Sequence, residues 1–151
     1  MTAFVTAGAA FLLAVLWFDL MFDVQALRTP GPELPEPVLA SIAGYYARVT
    51  TGARPMNRLV ALVMLATLGS IIAQLARGED PRWVAWASLA LTGVAVVLAA
   101  APTVPAAVRL GTRRDPIAEQ GHLAQSILRD HLFCLAAIAG VLVLQLAATP
   151  G

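Results

Sequence analysis

Apolar residues run almost unbroken over four stretches of the chain. Residues 3–22 are interrupted only by Asp19, and residues 59–75 carry Gln74 near their end. Residues 83–101 hold no charge, and residues 132–148 carry Gln145 near their end. A bilayer core about 30 Å thick takes about 20 residues of helix, so each stretch predicts a span. The two shorter ones recruit flanking polar turns, Asn57 and Arg58 in one case and Arg129 to His131 in the other. Only helices and closed barrels satisfy the backbone in lipid. Barrel strands would alternate apolar and polar residues, and these runs do not. The expected fold is all-α, a four-transmembrane-helix bundle forming a single membrane domain over residues 1–151. Its spans are placed at 3–22, 57–76, 83–101 and 116–148, the last including a cytoplasmic extension. The first run lacks the basic flank and small-residue cleavage site of a signal peptide and reads as a retained span.

Between the first two spans, residues 29–37 read TPGPELPEP, which predicts a turn and extended segment. Val38, Leu39, Ile42, Tyr45, Tyr46 and Val49 then recur at helical spacing. They predict a short amphipathic interfacial helix over 37–49, with Tyr45, Tyr46 and Arg48 near the headgroups. After the third span, Pro102 and Pro105 are expected to break or kink the helix. Asp115 reads as an N-cap with Pro116 at the first helical position. The fourth helix would then start well before its span.

The chain is 59% hydrophobic and 13% charged, with net charge +1 and mean hydropathy +0.77. A soluble domain carries about 25% charged residues, and a nucleic-acid binder needs a concentrated basic surface; neither class fits. The 10 basic residues are all arginine. Arg28, Arg48, Arg54, Arg58, Arg109, Arg113, Arg114 and Arg129 follow the first and third spans, against Arg77 and Arg82 elsewhere. By the positive-inside rule the two long connections are cytoplasmic and both termini face out. The expected location is the cytoplasmic (inner) membrane, with Trp83 and Trp86 at its outer interface. A lone cysteine, Cys134, excludes an intrachain disulfide.

The polar residues of the spans gather at the cytoplasmic ends. Asp19 and Asp23 share a helix face at i, i+4. Asn57 and Arg58 open the second span, Thr103 closes the third, and Arg129, Asp130 and His131 open the fourth. A charge inside a span costs about 2.5–3.5 kcal/mol at the helix centre, so Asp19 is expected to pair with Arg129 or Arg58. Asp19, Arg129 and His131 are the candidate catalytic groups. Asp19, Asp23, Asn57, Arg58, Thr103, Arg129 and His131 are the candidate lining of a ligand pocket, where a His or Asp could move a proton. The alternative is a structural ion pair that sets helix register. Glu119 and His122 form one Glu-x-x-His pair, whereas di-iron bundles use two; it is a weak metal candidate against a solvated helix face. No cofactor is expected. Small residues four apart (Ala10 and Ala14, Gly69 and Ala73, Ala95 and Ala99, Ala136 and Gly140) admit close helix contacts within the bundle or in a homo-oligomer.

Three segments carry a family resemblance. Tyr46-Ala-Arg48-Val-Thr-Thr-Gly-Ala-Arg-Pro55 precedes the second span, and Ala-Pro102-Thr103-Val-Pro105 with Arg109-Leu110 follows the third. An Arg129-Asp130-His131 turn opens the fourth. Together they resemble the anthrone oxygenase-like family of small four-helix membrane proteins, over residues 4–147. The resemblance implies this fold and, at most, metal-free oxidation of a flat lipophilic aromatic substrate. Three function classes stand open: a pocket that binds or oxidises a lipophilic small molecule at the cytoplasmic leaflet, a non-enzymatic accessory or scaffold subunit docking on a partner membrane protein, and an oligomeric transporter. Membrane lipid surrounds all three, and no nucleic acid is expected as a partner.

Overall fold

The computed structural model describes residues 1–27, 33–52, 54–79 and 81–148. Arg28, residues 29–32 and the side chain of Arg54, all used in the charge and loop expectations, lie outside the described residues. Helix α1 (Thr2–Asp23) continues as a 3-10 turn, Val24–Ala26. Helix α2 (Glu36–Tyr46) leads through a π turn, Ala47–Gly52, towards α3 (Arg54–Arg77). Helix α4 (Arg82–Leu98) passes through a second π turn, Ala99–Thr103, into α5 (Val104–Thr112), and α6 (Ile117–Ala147) closes the chain. Four continuous stretches are long and apolar enough to cross a membrane: Thr2–Ala26, Pro55–Arg77, Arg82–Thr112 and Ile117–Ala147. The fold is all-helical among the described residues.

The third span does not break at its prolines. Pro102 has no N–H for the carbonyl of Leu98, and its ring would crowd that carbonyl in a regular α-helix. A π turn widens the helix there. The Thr103 hydroxyl then donates to Leu98 O at 2.9 Å. Pro105 sits in the first turn of α5, where a missing N–H costs little. The rod ends instead at Arg113, which adopts a left-handed conformation (φ 55°).

The start of α6 also differs from the expected cap. Pro116 is the N-cap, and no side chain caps the helix. Asp115 instead accepts from Arg109 at 3.0 Å, while Gln120 Nε2 donates to the Asp115 carbonyl at 2.6 Å.

Two apolar clusters build the interior. Val5, Ala9, Leu12, Ile71, Ala95, Cys134, Ile138 and Val141 fill the bundle among α1, α3, α4 and α6. Leu20, Leu39, Ile42, Tyr46, Leu110, Leu123, Ile127 and Leu128 form a second cluster, built by α2, α5 and the early part of α6 over the end of α1. The extension of α6 is thus part of a packed helical cap rather than a bare protrusion. Within the cap α5 touches the π turn closely: a Cβ on Gly111 would lie 2.9 Å from the backbone nitrogen of Ala47. Arg113 also pairs with Glu36, tying the end of α5 to the start of α2.

Of the small-residue pairs, Ala10, Ala14, Gly69 and Ala136 are exposed. Gly140 meets Leu91, and Ala95 is in the core. A close helix approach lies instead at Gly8, where a Cβ would stand 3.1 Å from Thr67 Cβ. Far from the cap, Gln74 and Gln145 exchange bonds of 3.0 and 3.3 Å. Gln145 also donates to Ser88 (3.0 Å), and Gln74 to Thr2 (3.2 Å). This network joins the four spans. It also places the start of α1, the end of α3 and the end of α6 at one end of the bundle.

Candidate functional site

Where the cap meets the spans, acidic groups of α1 receive hydroxyls from α2. Asp23 is fully buried. One of its oxygens accepts from Tyr46 Oη at 2.7 Å, and the other lies 2.6 Å from His131 Nδ1. A carboxylate only accepts, so Nδ1 carries the ring proton in that contact. Asp19, one turn earlier, accepts from Tyr45 Oη at 2.6 Å. Tyr45 stacks on Phe22 with centroids 4.2 Å apart and meets Tyr46 edge-on at 5.3 Å. Burial, and then the neighbouring carboxylates, push both phenols above their ordinary range, so they stay protonated donors. On α6, Asp130 is buried; it shares the one Thr103 hydroxyl proton with Leu98 O, at 3.2 Å, and Arg129 Nε lies 3.8 Å away.

Asp19 therefore pairs with a tyrosine and not with Arg129 or Arg58. The reason is helical phase. Residues 129 and 131 stand about 200° apart around α6. Turning His131 inward to Asp23 turns Arg129 out, and its side chain is 80% exposed. Arg58 is exposed on the first turns of α3, where no residue is buried before Thr67 among those described.

That outward run of α3 leaves a cavity of about 410 Å³ among α1, α3, α4 and α6, topped by the cap. Asp19, Tyr45, Asn57, Thr92, Thr103 and His131 are prominent in its polar lining, and the remaining walls are mostly apolar. Exposed Met56, Asn57, Ala61 and Leu65 on α3, and exposed Ala100 and Val104 on the α4–α5 rod, also line it. The cavity thus opens sideways between these two rods, towards the lipid.

Of the candidates from sequence, Asp19, Asn57, Thr103 and His131 line this cavity, and Asp23 stands behind them. Arg58 and Arg129 are not in its lining. Glu119 accepts from Arg109 at 3.2 Å, and His122 is exposed. Among the described residues, no group of three or more His, Cys, Asp or Glu could hold a metal ion. Sequence reasoning misses Tyr45, Tyr46 and Thr92 as site residues. A signal for Tyr46 is present: a phenol on an apolar helix face needs a hydrogen-bond partner when buried.

Four spanning helices, a helical cap and a side-opening cavity under an acidic cluster define a small polytopic membrane protein. The family model that matches, over residues 1–149, is SHR3 chaperone, described as ER membrane protein SH3. The chain belongs to this family. No curated protein and no solved structure matches it. The match corrects the anthrone oxygenase-like resemblance, and the oxidation that it implied falls with it. The segments carrying that resemblance are proline- and arginine-bearing helix ends, shaped here by π turns and caps. The matched family is described from the ER membrane, whereas the arginine distribution alone suggests a cytoplasmic membrane; multi-pass insertion holds in either.

Proposed function

We propose that the chain is a non-enzymatic accessory protein of the chaperone type, which holds an apolar transmembrane segment of a client membrane protein at the opening between α3 and the α4–α5 rod. Membership over residues 1–149 of a family described as a chaperone carries this reading. The splayed start of α3 supports it. Exposed Met56, Leu65 and Val104 line a cleft open to lipid, where a bundle serving only itself would close its helices. A client segment resting there exchanges lipid contacts for protein contacts, and unpaired helices are kept from one another until they assemble. The family's description supports the endoplasmic reticulum as the membrane. The arginine-rich connections then face the cytosol and both termini face the lumen.

The test is assembly of a polytopic client in cells with and without the chain, read as the detergent-soluble, correctly folded fraction. That fraction should fall when the chain is absent or when Ala100→Trp fills the cleft mouth. An unchanged fraction in both cases contradicts the reading. A second reading, a small lipophilic ligand, is favoured by the cavity itself, whose volume of about 410 Å³ lies in the range of small-molecule sites. Mass spectrometry of the purified chain tests it: a bound species at fixed stoichiometry supports it, and only bulk lipid argues against it.

A further inference from the structure

We propose that the cavity selects client segments carrying a basic side chain, with Asp19 as the counter-ion; this deepens the chaperone reading and rests on it. The first observation is charge. Asp19, Asp23 and Asp130 surround His131. The cations near them among the described residues are His131 itself, 2.6 Å from Asp23, and exposed Arg129, 3.8 Å from Asp130. Even with both cations charged, three carboxylates share two cations. Asp23 is fully buried and engaged at both oxygens. Asp19 accepts one hydrogen bond, from Tyr45, and lines the cavity. It is the acidic group that a guest can reach.

The second observation is independent. Thr92 is fully buried and lines the same cavity, and its hydroxyl has no hydrogen-bond partner. Thr50 and Thr67 bond the carbonyl four residues back, and Thr92 does not. Buried hydroxyls in native proteins are satisfied as a rule, so this one points to an occupant with a polar group.

Size and shape decide which occupant. A helix with its side chains is about 10–12 Å across, too wide for a cavity of about 410 Å³. One long side chain from a helix lying across the mouth does fit. Lysine and arginine combine an apolar stem with a cationic end, matching apolar walls that lead to a carboxylate. Such residues are common near the ends of spans, where they snorkel. A glutamate at the same place would meet Asp19 with like charge.

The experiment uses the full chain in nanodiscs and a synthetic Leu/Ala helix of about 20 residues, enough to span. The helix carries either Lys or Leu one turn inside its end, and binding is read by energy transfer. The Lys helix should bind about tenfold tighter or more, the scale of a desolvated charge pair. Asp19→Asn, which can still accept the Tyr45 hydrogen bond, should abolish the preference, Asp19→Glu should keep it, and Thr92→Val should reduce it. Equal binding of both helices to the wild-type chain overturns this inference and leaves the chaperone reading standing. Binding of neither helix overturns both.

Discussion

Replacing Tyr46 with phenylalanine removes one oxygen and little else, because the ring keeps its place in the cap cluster with Leu39, Ile42 and Ile127. What the substitution takes away is the 2.7 Å hydrogen bond to Asp23. Asp23 has no exposed surface, so water cannot replace the lost donor. A hydrogen bond to a charged group is worth about 1.5–3 kcal/mol, and leaving the acceptor buried keeps the loss near the top of that range. Tyr45→Phe is the matched control. It keeps the stack on Phe22 and removes the 2.6 Å bond to Asp19. Asp19 lines the open cavity, where water can reach it, so the cost should be about 1 kcal/mol or less. Unfolding of both variants in mixed micelles, followed by tryptophan fluorescence, gives the two values. A cycle with Asp23→Asn should show a coupling of about 1–2 kcal/mol between positions 23 and 46. A Tyr46→Phe chain as stable as wild type, beside a costlier Tyr45→Phe, refutes the reasoning.

Three further outcomes are expected. Gly111→Ala should destabilise the cap and speed its proteolysis, because the new methyl meets the Ala47 backbone at 2.9 Å; Gly44→Ala in α2, with nothing within 4 Å, should gain up to about 1 kcal/mol. Gln145→Leu should cost about 1–3 kcal/mol by taking hydrogen-bond partners from buried Gln74 and Ser88, and adding Gln74→Leu should recover only part of it, since Ser88 still lacks the Gln145 donor. The chain's 2 tyrosines both have raised phenol pKa values, so the rise in absorbance that marks phenolate should be absent through the ordinary phenol range around 10.0 and arrive only with unfolding. The sign follows from linkage: the folded chain holds these protons where the unfolded chain releases them, so their contribution is full below 10.0 and is lost as the pH rises beyond it.

The spans are legible in the sequence because lipid leaves the backbone few solutions, and a run of apolar residues of the right length announces the helical one. The gathering of Asp19, Asp23, Thr103 and His131 at one end of the bundle is legible for a related reason, since polar groups in lipid seek company. Their partners are not. Choosing between Arg129 and Tyr45 for Asp19 requires the rotational phase of α6 and the docking of α2, and neither follows from one helix's pattern. The prolines mislead because Pro102 breaks an α-helix but not a π turn with Thr103 beside it. The polar end of the cavity is foreshadowed by Asp19, Asn57, Thr103 and His131, but its apolar mouth is not legible. It arises from the angle of α3, and its exposed Met56 and Leu65 look like any lipid-facing residues in the sequence.

Site-specific photocrosslinking in nanodiscs tests most directly whether the cleft receives a client segment. A photoreactive residue is placed at Leu65 or Ala100, which line the cavity, and at Phe133 or Val143, exposed on α6 and outside that lining. A spanning Leu/Ala helix should form adducts with the first two positions and few with the others. Equal labelling at all four, or labelling concentrated on α6, contradicts the proposed function.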